Sequence, residues 1–332
     1  MIITFKKDAD PQVLNSIRKL LSEKHLHGFQ AGQKLAIVHQ KSIDFDEEQR
    51  NAIEETISNE PSYVAVSRVF HPQDTVIKLP HGTIGGENFT IVAGADAVKS
   101  NGQIHRTAIM VHQGDATILT GDVFTQQMNA YEDENKNIGE SGLQYLRAAA
   151  DANELDVMSE ADSVDHVDMI ANYADIIRIG ARNMRNYELI RAAVKTNKVI
   201  ALTRAQDATI DEWLNVAEYI AELGDMRTIL VDEGIRTFDH DHTRKTMSLE
   251  AIPVLKKLTH YPILTAPSAG TGDHSLISAI TRAAFVSGSN GVILNVSDES
   301  DNKVAITSQE FLTLSQQIKT LASSMPLWRD EQ

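Results

Sequence analysis

The stretch LDVMSEADSVDHVDMIANYADIIRIG, residues 155–180, holds two apolar runs, LDVMSE at 155–160 and DIIRIG at 175–180. Between them Val164, Val167, Ile170 and Ala174 recur at helical spacing. Two short buried-type strands joined by an amphipathic helix form the unit of a parallel sheet, because a parallel return needs a crossover long enough to lie on the sheet face. The unit repeats outward. FTIVAG (89–94) and TILTG (117–121) precede it, and KVIALT (198–203), RTILV (227–231), YPILTA (261–266) and NGVILNV (290–296) follow. Ile210, Trp213, Leu214, Ala217 and Ile220 mark another intervening helix. Eight such strands alternating with helices predict an α/β fold of the (β/α)8 TIM-barrel type. A doubly wound open sheet is the alternative, but no Gly-x-Gly-x-x-Gly opens a helix after the first strand.

Upstream the pattern is different. Ile2–Phe5 reads as a strand, and Val13, Leu14, Ile17, Leu20 and Leu21 share one helical face. Strands near His27–Gln30 and Leu35–His39, a charged helix around Glu47–Ile57 and an alternating strand Tyr63–Val69 complete the order βαββαβ, that of a ferredoxin-like domain. The stretch 71–88, with two prolines and three glycines, predicts a linker running into a hairpin that turns at IGGEN. The expected organisation is therefore a ferredoxin-like regulatory-type domain over 1–70, a linker and hairpin over 71–88, and the barrel over 89–332.

The chain has 332 residues, 31 Lys plus Arg against 46 Asp plus Glu, a net charge of −15 and no cysteine. An acidic chain argues against nucleic acid as a partner, since phosphate backbones are bound through clustered cations. No apolar run is long enough for a membrane span, and the N-terminus lacks the apolar core of a signal peptide. The absence of cysteine excludes a thiolate nucleophile and fits a cytoplasmic protein.

Chemistry in a barrel sits where strands end. Those positions carry Asp96, Asp122, Glu160, Arg182, Arg204, Asp232, Glu233, Asp273 and His274, together with the run Asp239-His240-Asp241-His242. That run has metal-ligand chemistry, but alternate residues of an extended loop point opposite ways, so a solvated acidic loop is the plainer reading. Ser268–Gly272 could aim backbone amides at a phosphate, or be an ordinary glycine-rich loop.

YADIIRIGARNMRNYELI (173–190), GESGLQYLRAAAD (139–151), TIDEWLNVAEYI (209–220) and EGIRTF (233–238) resemble the 3-deoxy-D-arabino-heptulosonate 7-phosphate (DAHP) synthase family, in its branch with an N-terminal ferredoxin-like domain. The resemblance implies condensation of phosphoenolpyruvate with erythrose 4-phosphate at a divalent metal such as Mn²⁺, in the shikimate pathway to aromatic amino acids. It also implies a homodimer or homotetramer, and an aromatic amino acid or an aromatic-pathway enzyme as ligand or partner. The family's metal ligands are Cys, His, Glu and Asp. Where the family has Ala-Gly-Pro-Cys-Ser, this chain has Ala93-Gly94-Ala95-Asp96-Ala97. The family's Asp-Pro-Ser-His falls on Ala266-Pro267-Ser268-Ala269, its strand-eight Glu falls on Asn295, and the loop with its final Asp is shortened around 298–303. Only Asp96 could still coordinate.

The phosphate-binding positions differ as well. A family Arg-Gly-Gly and Lys-Pro-Arg-Thr fall on Thr120-Gly121-Asp122 and Thr125-Gln126-Gln127-Met128, the lysine ending strand five is Thr203, and an arginine is Glu233. Each cation about 4 Å from a phosphate contributes about 4 kcal/mol at an effective dielectric near 20, so losing several removes most of a typical binding free energy. Glu160, Arg182, Asn183, Arg236 and Arg244 remain as candidate ligand-binding residues.

The expectation is a DAHP-synthase-like relative without the metal and without the metal-dependent activity, retained in a non-catalytic or regulatory role. Two alternatives stay open. In one, Asp96, Glu160, Arg182 and Glu233 serve a repurposed enzyme, unless Arg182 and Glu160 simply pair at the rim. In the other, the chain is an active 3-deoxy-7-phosphoheptulonate synthase.

Overall fold

The computed structural model describes residues 1–38, 40, 42–58, 61–124, 138–238, 244–297 and 302–326. Among these, no helix is long and apolar enough to cross a membrane.

The N-terminal elements are β1 (Ile2–Phe5), α1 (Pro11–Glu23), β2 (Gly28–Ala31), β3 (Lys34–Ile37), α2 (Glu47–Ala52) and β4 (Ile53–Ile57). Asp10 caps α1 by accepting from Gln12 N, Pro11 presets its first turn, and Val13, Ile17 and Leu21 bury one face. The strands form an antiparallel sheet in the order β2-β3-β1-β4. Two sequence expectations are corrected here. The helix expected over Glu47–Ile57 stops at Ala52, and the β-branched Ile53, Thr56 and Ile57 pair with β1 instead. Tyr63–Val69 is not a strand. It runs in turns, touching the barrel through an isolated bridge from Ser67 to Thr259. Tyr63, Val64, Ala65 and Val66 are buried by docking: Glu218 accepts from the amides of Ala65 (2.9 Å) and Val66 (3.0 Å), and Asp211 accepts from the Tyr63 hydroxyl (3.1 Å).

A hairpin follows, β5 (Val76–Lys78) and β6 (Thr83–Gly85). It turns at Leu79–Gly82, where Leu79 N donates to Gly82 O (2.8 Å), and not at IGGEN, which marks the end of β6.

The strands β7 (Thr90–Ala97), β8 (Ile118–Asp122), β9 (Asp156–Ala161), β10 (Ile176–Ile179), β11 (Val199–Thr203), β12 (Thr228–Asp232), β13 (Ile263–Thr265) and β14 (Gly291–Asn295) form a closed parallel barrel. All eight fall on the apolar runs. Around it lie α3 (Asn101–Gln113), α4 (Glu140–Asp151), α5 (Val164–Ala171), α6 (Tyr187–Lys195), α7 (Ile210–Glu222), α8 (Ala251–Leu258), α9 (Pro267–Thr271), α10 (His274–Val286) and α11 (Ser308–Ser324). This is a (β/α)8 core.

Side chains alternate along each strand, so one set packs under the helices and the other fills the barrel. Val92, Ile118, Met158, Ile176, Val199, Ile229, Leu264 and Ile293 form the inner cluster, joined from below by Ile77 and Ile84 of the hairpin. The hairpin turn also caps the floor, because His81 N donates to the buried Asp156 carboxylate at 3.2 and 3.3 Å.

Candidate active site at the barrel mouth

Two residues above the inner layer, the same alternation places Glu160, Arg178 and Asn295 on the inward face, and four residues above it Asp122, Thr203 and Glu233, at the C-terminal ends of the strands. Arg178 is the centre. Its Nη2 lies 3.0 Å from Glu160 Oε2 and 3.5 Å from Glu233 Oε2. Lys245 Nζ donates to the other Glu233 oxygen, giving a chain Glu160–Arg178–Glu233–Lys245. Glu160 is thus paired with Arg178, a residue absent from the strand-end candidates.

Burial sets the protonation chemistry. It pushes the Glu160 carboxyl up to about 7, against the opposing pull of Arg178. Buried Asp122 is also raised, chiefly by desolvation, although it accepts from Glu160 N at 3.2 Å. The surrounding carboxylates hold Arg178 cationic despite its burial. Lys245 is lowered by burial, with Glu233 pulling the other way.

Above this chain opens a cavity of about 350 Å³. Glu160, Arg178, Arg182, Glu233, Arg244 and Lys245 supply its charged lining along with Asp96 and Asp122, and Phe124, Ala181 and Val304 supply apolar walls. A smaller void of about 60 Å³ lies beside it, between Asp96, Asp122, Arg178, Ala269 and Asn295.

The other sequence candidates are placed as follows. Asp96, at the end of β7, accepts from Asn295 Nδ2 at 2.8 Å. Ala269 contributes a methyl group on α9. Thr203, the last residue of β11, is fully buried and outside the cavity lining, its hydroxyl without a hydrogen-bond partner among the described residues. Asn183 turns away from the cavity and donates to Asp162 O (3.2 Å). Arg236 is exposed and lies outside the cavity lining, its amide donating to Gln206 O (2.9 Å). Arg204 is buried and pairs with Asp232 (3.4 Å).

Ser268–Gly272 is not an open phosphate loop. Residues 267–271 form the short helix α9, Gly270 N donates to Ala266 O, and Ser268 Oγ is occupied by Asn295 N (2.9 Å). Asp273 caps α10, and His274 pairs with Glu310 (2.8 Å). Asp239–His242, Thr125–Met128 and 298–301 lie outside the described residues.

A divalent ion needs several anionic or imidazole donors converging on one point. At the positions that the resemblance assigns to metal ligands, the side chains are one carboxylate, one methyl and one amide whose NH2 is already given to that carboxylate. The Arg178 cation borders the same void. Among the described residues, no group of three or more His, Asp or Glu is arranged to hold a metal. These residues do not fit the ion.

The comparisons with known proteins agree with this architecture. The chain is 38% identical over 283 residues to the phospho-2-dehydro-3-deoxyheptonate aldolase of Thermotoga maritima, covering 84% of this chain and 83% of that protein. It is 25% identical over 170 residues to a 2-dehydro-3-deoxyphosphooctonate aldolase of Geobacter sulfurreducens, covering 48% and 61%. A crystal structure of the Thermotoga maritima DAHP synthase superposes with a TM-score of 0.76 at 33% identity over 97% of both chains. A truncated form of that enzyme gives 0.72 at 39% identity, covering 79% of this chain and 97% of its own. The family model described as the DAHP synthetase I family matches residues 70–326, which takes in the hairpin, every barrel strand and the mouth. With the closed barrel, its plugged floor and this match in hand, the chain belongs to the DAHP synthetase I family.

Proposed function

We propose that this member of the family does not carry out a metal-dependent DAHP synthase reaction and acts as a non-catalytic or regulatory relative. The observation that carries the reading is Arg178. A guanidinium bridging Glu160 and Glu233 adds a fixed positive charge to the mouth, beside a position that would otherwise have to attract a divalent cation. The N-terminal sheet, ferredoxin-like in its β-α-β-β-α-β order, would then be the surviving ligand module, with an aromatic amino acid as ligand and an aromatic-pathway enzyme or further copies of the chain as partner. The test is phosphoenolpyruvate consumption with erythrose 4-phosphate and Mn²⁺, run beside calorimetry with Mn²⁺, Tyr and Phe. No turnover, no Mn²⁺ uptake and binding of Tyr or Phe are expected. Turnover with Mn²⁺ would overturn the reading.

A second reading is favoured by the cavity itself. About 350 Å³ lined by Glu160, Glu233, Arg244 and Lys245 has the size and polarity of a small-molecule site, in keeping with a barrel that takes another metabolite.

A further inference from the structure

Lys245 is the group that neither the family resemblance nor the reading of strand ends uses. It is 6% exposed, follows the sixth barrel strand, and lines the cavity with its Nζ on the Glu233 carboxylate. A lysine amine becomes a nucleophile when it can shed a proton, which burial and neighbouring cations favour. Both are present here: burial, with Arg244 and Arg178 alongside, pulls Lys245 down against the opposing pull of Glu233. Glu233 Oε1, in contact with Nζ, is positioned to take the proton when it leaves. Across Arg178 from that carboxylate stands Glu160, which burial brings to about 7 and which can therefore both hold and release a proton near neutrality.

We propose that Lys245 is an imine-forming amine, and that the mouth takes a small carbonyl compound bearing a carboxylate, of the 2-oxo acid class. This rests on the second reading, that the cavity still receives a small molecule. The proton on Nζ passes to Glu233, and the free amine adds to the carbonyl carbon. The C–N bond forms as the carbonyl π bond opens, and the oxygen takes a proton. The carbinolamine then loses that oxygen as water. The balance is ammonium plus carbonyl giving protonated imine plus water, with no oxidant and no metal. Arg244, the preceding residue and part of the same wall, supplies the cation for the carboxylate.

The test uses the full chain with glyoxylate and, separately, pyruvate as probes, with borohydride to reduce the imine to a stable secondary amine. Peptide mapping then locates the added mass. The expected result is modification of Lys245 well ahead of Lys19, whose side chain is 78% exposed. Lys245→Arg, which keeps the charge beside Glu233, is expected to abolish the trapped adduct. Modification of Lys245 no greater than that of Lys19 in the native chain overturns the proposal, and that comparison needs no variant to fold. Calorimetry with glyoxylate and pyruvate reads cavity binding separately: binding without a trapped Lys245 adduct overturns the imine alone, and absence of binding overturns the second reading with it.

Discussion

Arg178 and Glu160 are register partners across β10 and β9, and their side chains meet at 3.0 Å on the inner face of the barrel. A ladder pairing has become the centre of the mouth's charge network. The backbone already holds both Cα atoms, so little further entropy is lost in bringing the ions together. The cost lies in desolvation instead, which is why the two must be removed together or not at all.

Arg178→Met is therefore expected to destabilise by about 3–5 kcal/mol, because Glu160 loses its paired cation while Glu233 keeps only Lys245. Adding Glu160→Gln should recover part of that loss. Urea unfolding of the two variants and their combination closes the cycle. Additive losses would show that the residues do not form one network.

The metal question can be run in reverse. Asp96→Cys, Ala269→His and Asn295→Glu together restore donor chemistry at three positions, and Arg178→Gln removes the adjacent cation. The fourfold variant is expected to take up Mn²⁺ or Zn²⁺ in calorimetry, where the parent does not. Uptake by the parent would mean that donors outside the described residues suffice.

Stability should fall in acid through His260. Its Nε2 faces the Ala65 carbonyl (3.1 Å), which can only accept, so the proton is on Nε2 and Nδ1 accepts from Thr75 (2.7 Å). Burial lowers this imidazole from 6.5 to about 3, with His71 and Arg68 adding to the effect and Asp74 opposing it. The unfolded chain thus binds the proton first. Stability from this group is complete above about pH 6.5 and declines as pH falls toward 3, by up to about 5 kcal/mol. His260→Gln should flatten that part of the profile in chemical unfolding measured against pH. An unchanged slope would assign it to other groups.

Glu218→Ala removes the acceptor for the amides of Ala65 and Val66. A loss of about 2–3 kcal/mol is expected, with faster proteolysis before the barrel. Melting curves and limited digestion check both, and a variant cut no faster than the parent would place the docking energy elsewhere.

The barrel was readable because parallel strands covered on both faces are written as short apolar runs, and eight of them leave few architectures. Tyr63–Val69 misled because burial by docking against α7 and α8 produces the same residue choice as burial in a sheet. Arg178 was legible in principle. In DIIRIG it shares a face with Ile176, and that face fills the barrel, so a lone arginine there demands anionic partners. The partners themselves, Glu160 at the end of β9 and Glu233 just past β12, come from other strands, and no local spacing connects them to β10. Asn183 and Arg236 rest on the family resemblance, which fixes a residue's place in a motif but not the direction of its side chain.

The hairpin that seals the floor has a kinetic meaning. With Ile77, Ile84 and the His81 amide closing one end, the described barrel is a blind vessel. A ligand that reaches the Arg178 layer must arrive and leave by the same door. Anything that narrows that door slows both passages by a common factor, so it lengthens residence without strengthening binding. Coverings of the mouth can therefore set how long a ligand stays, while affinity is left to the charged residues beneath.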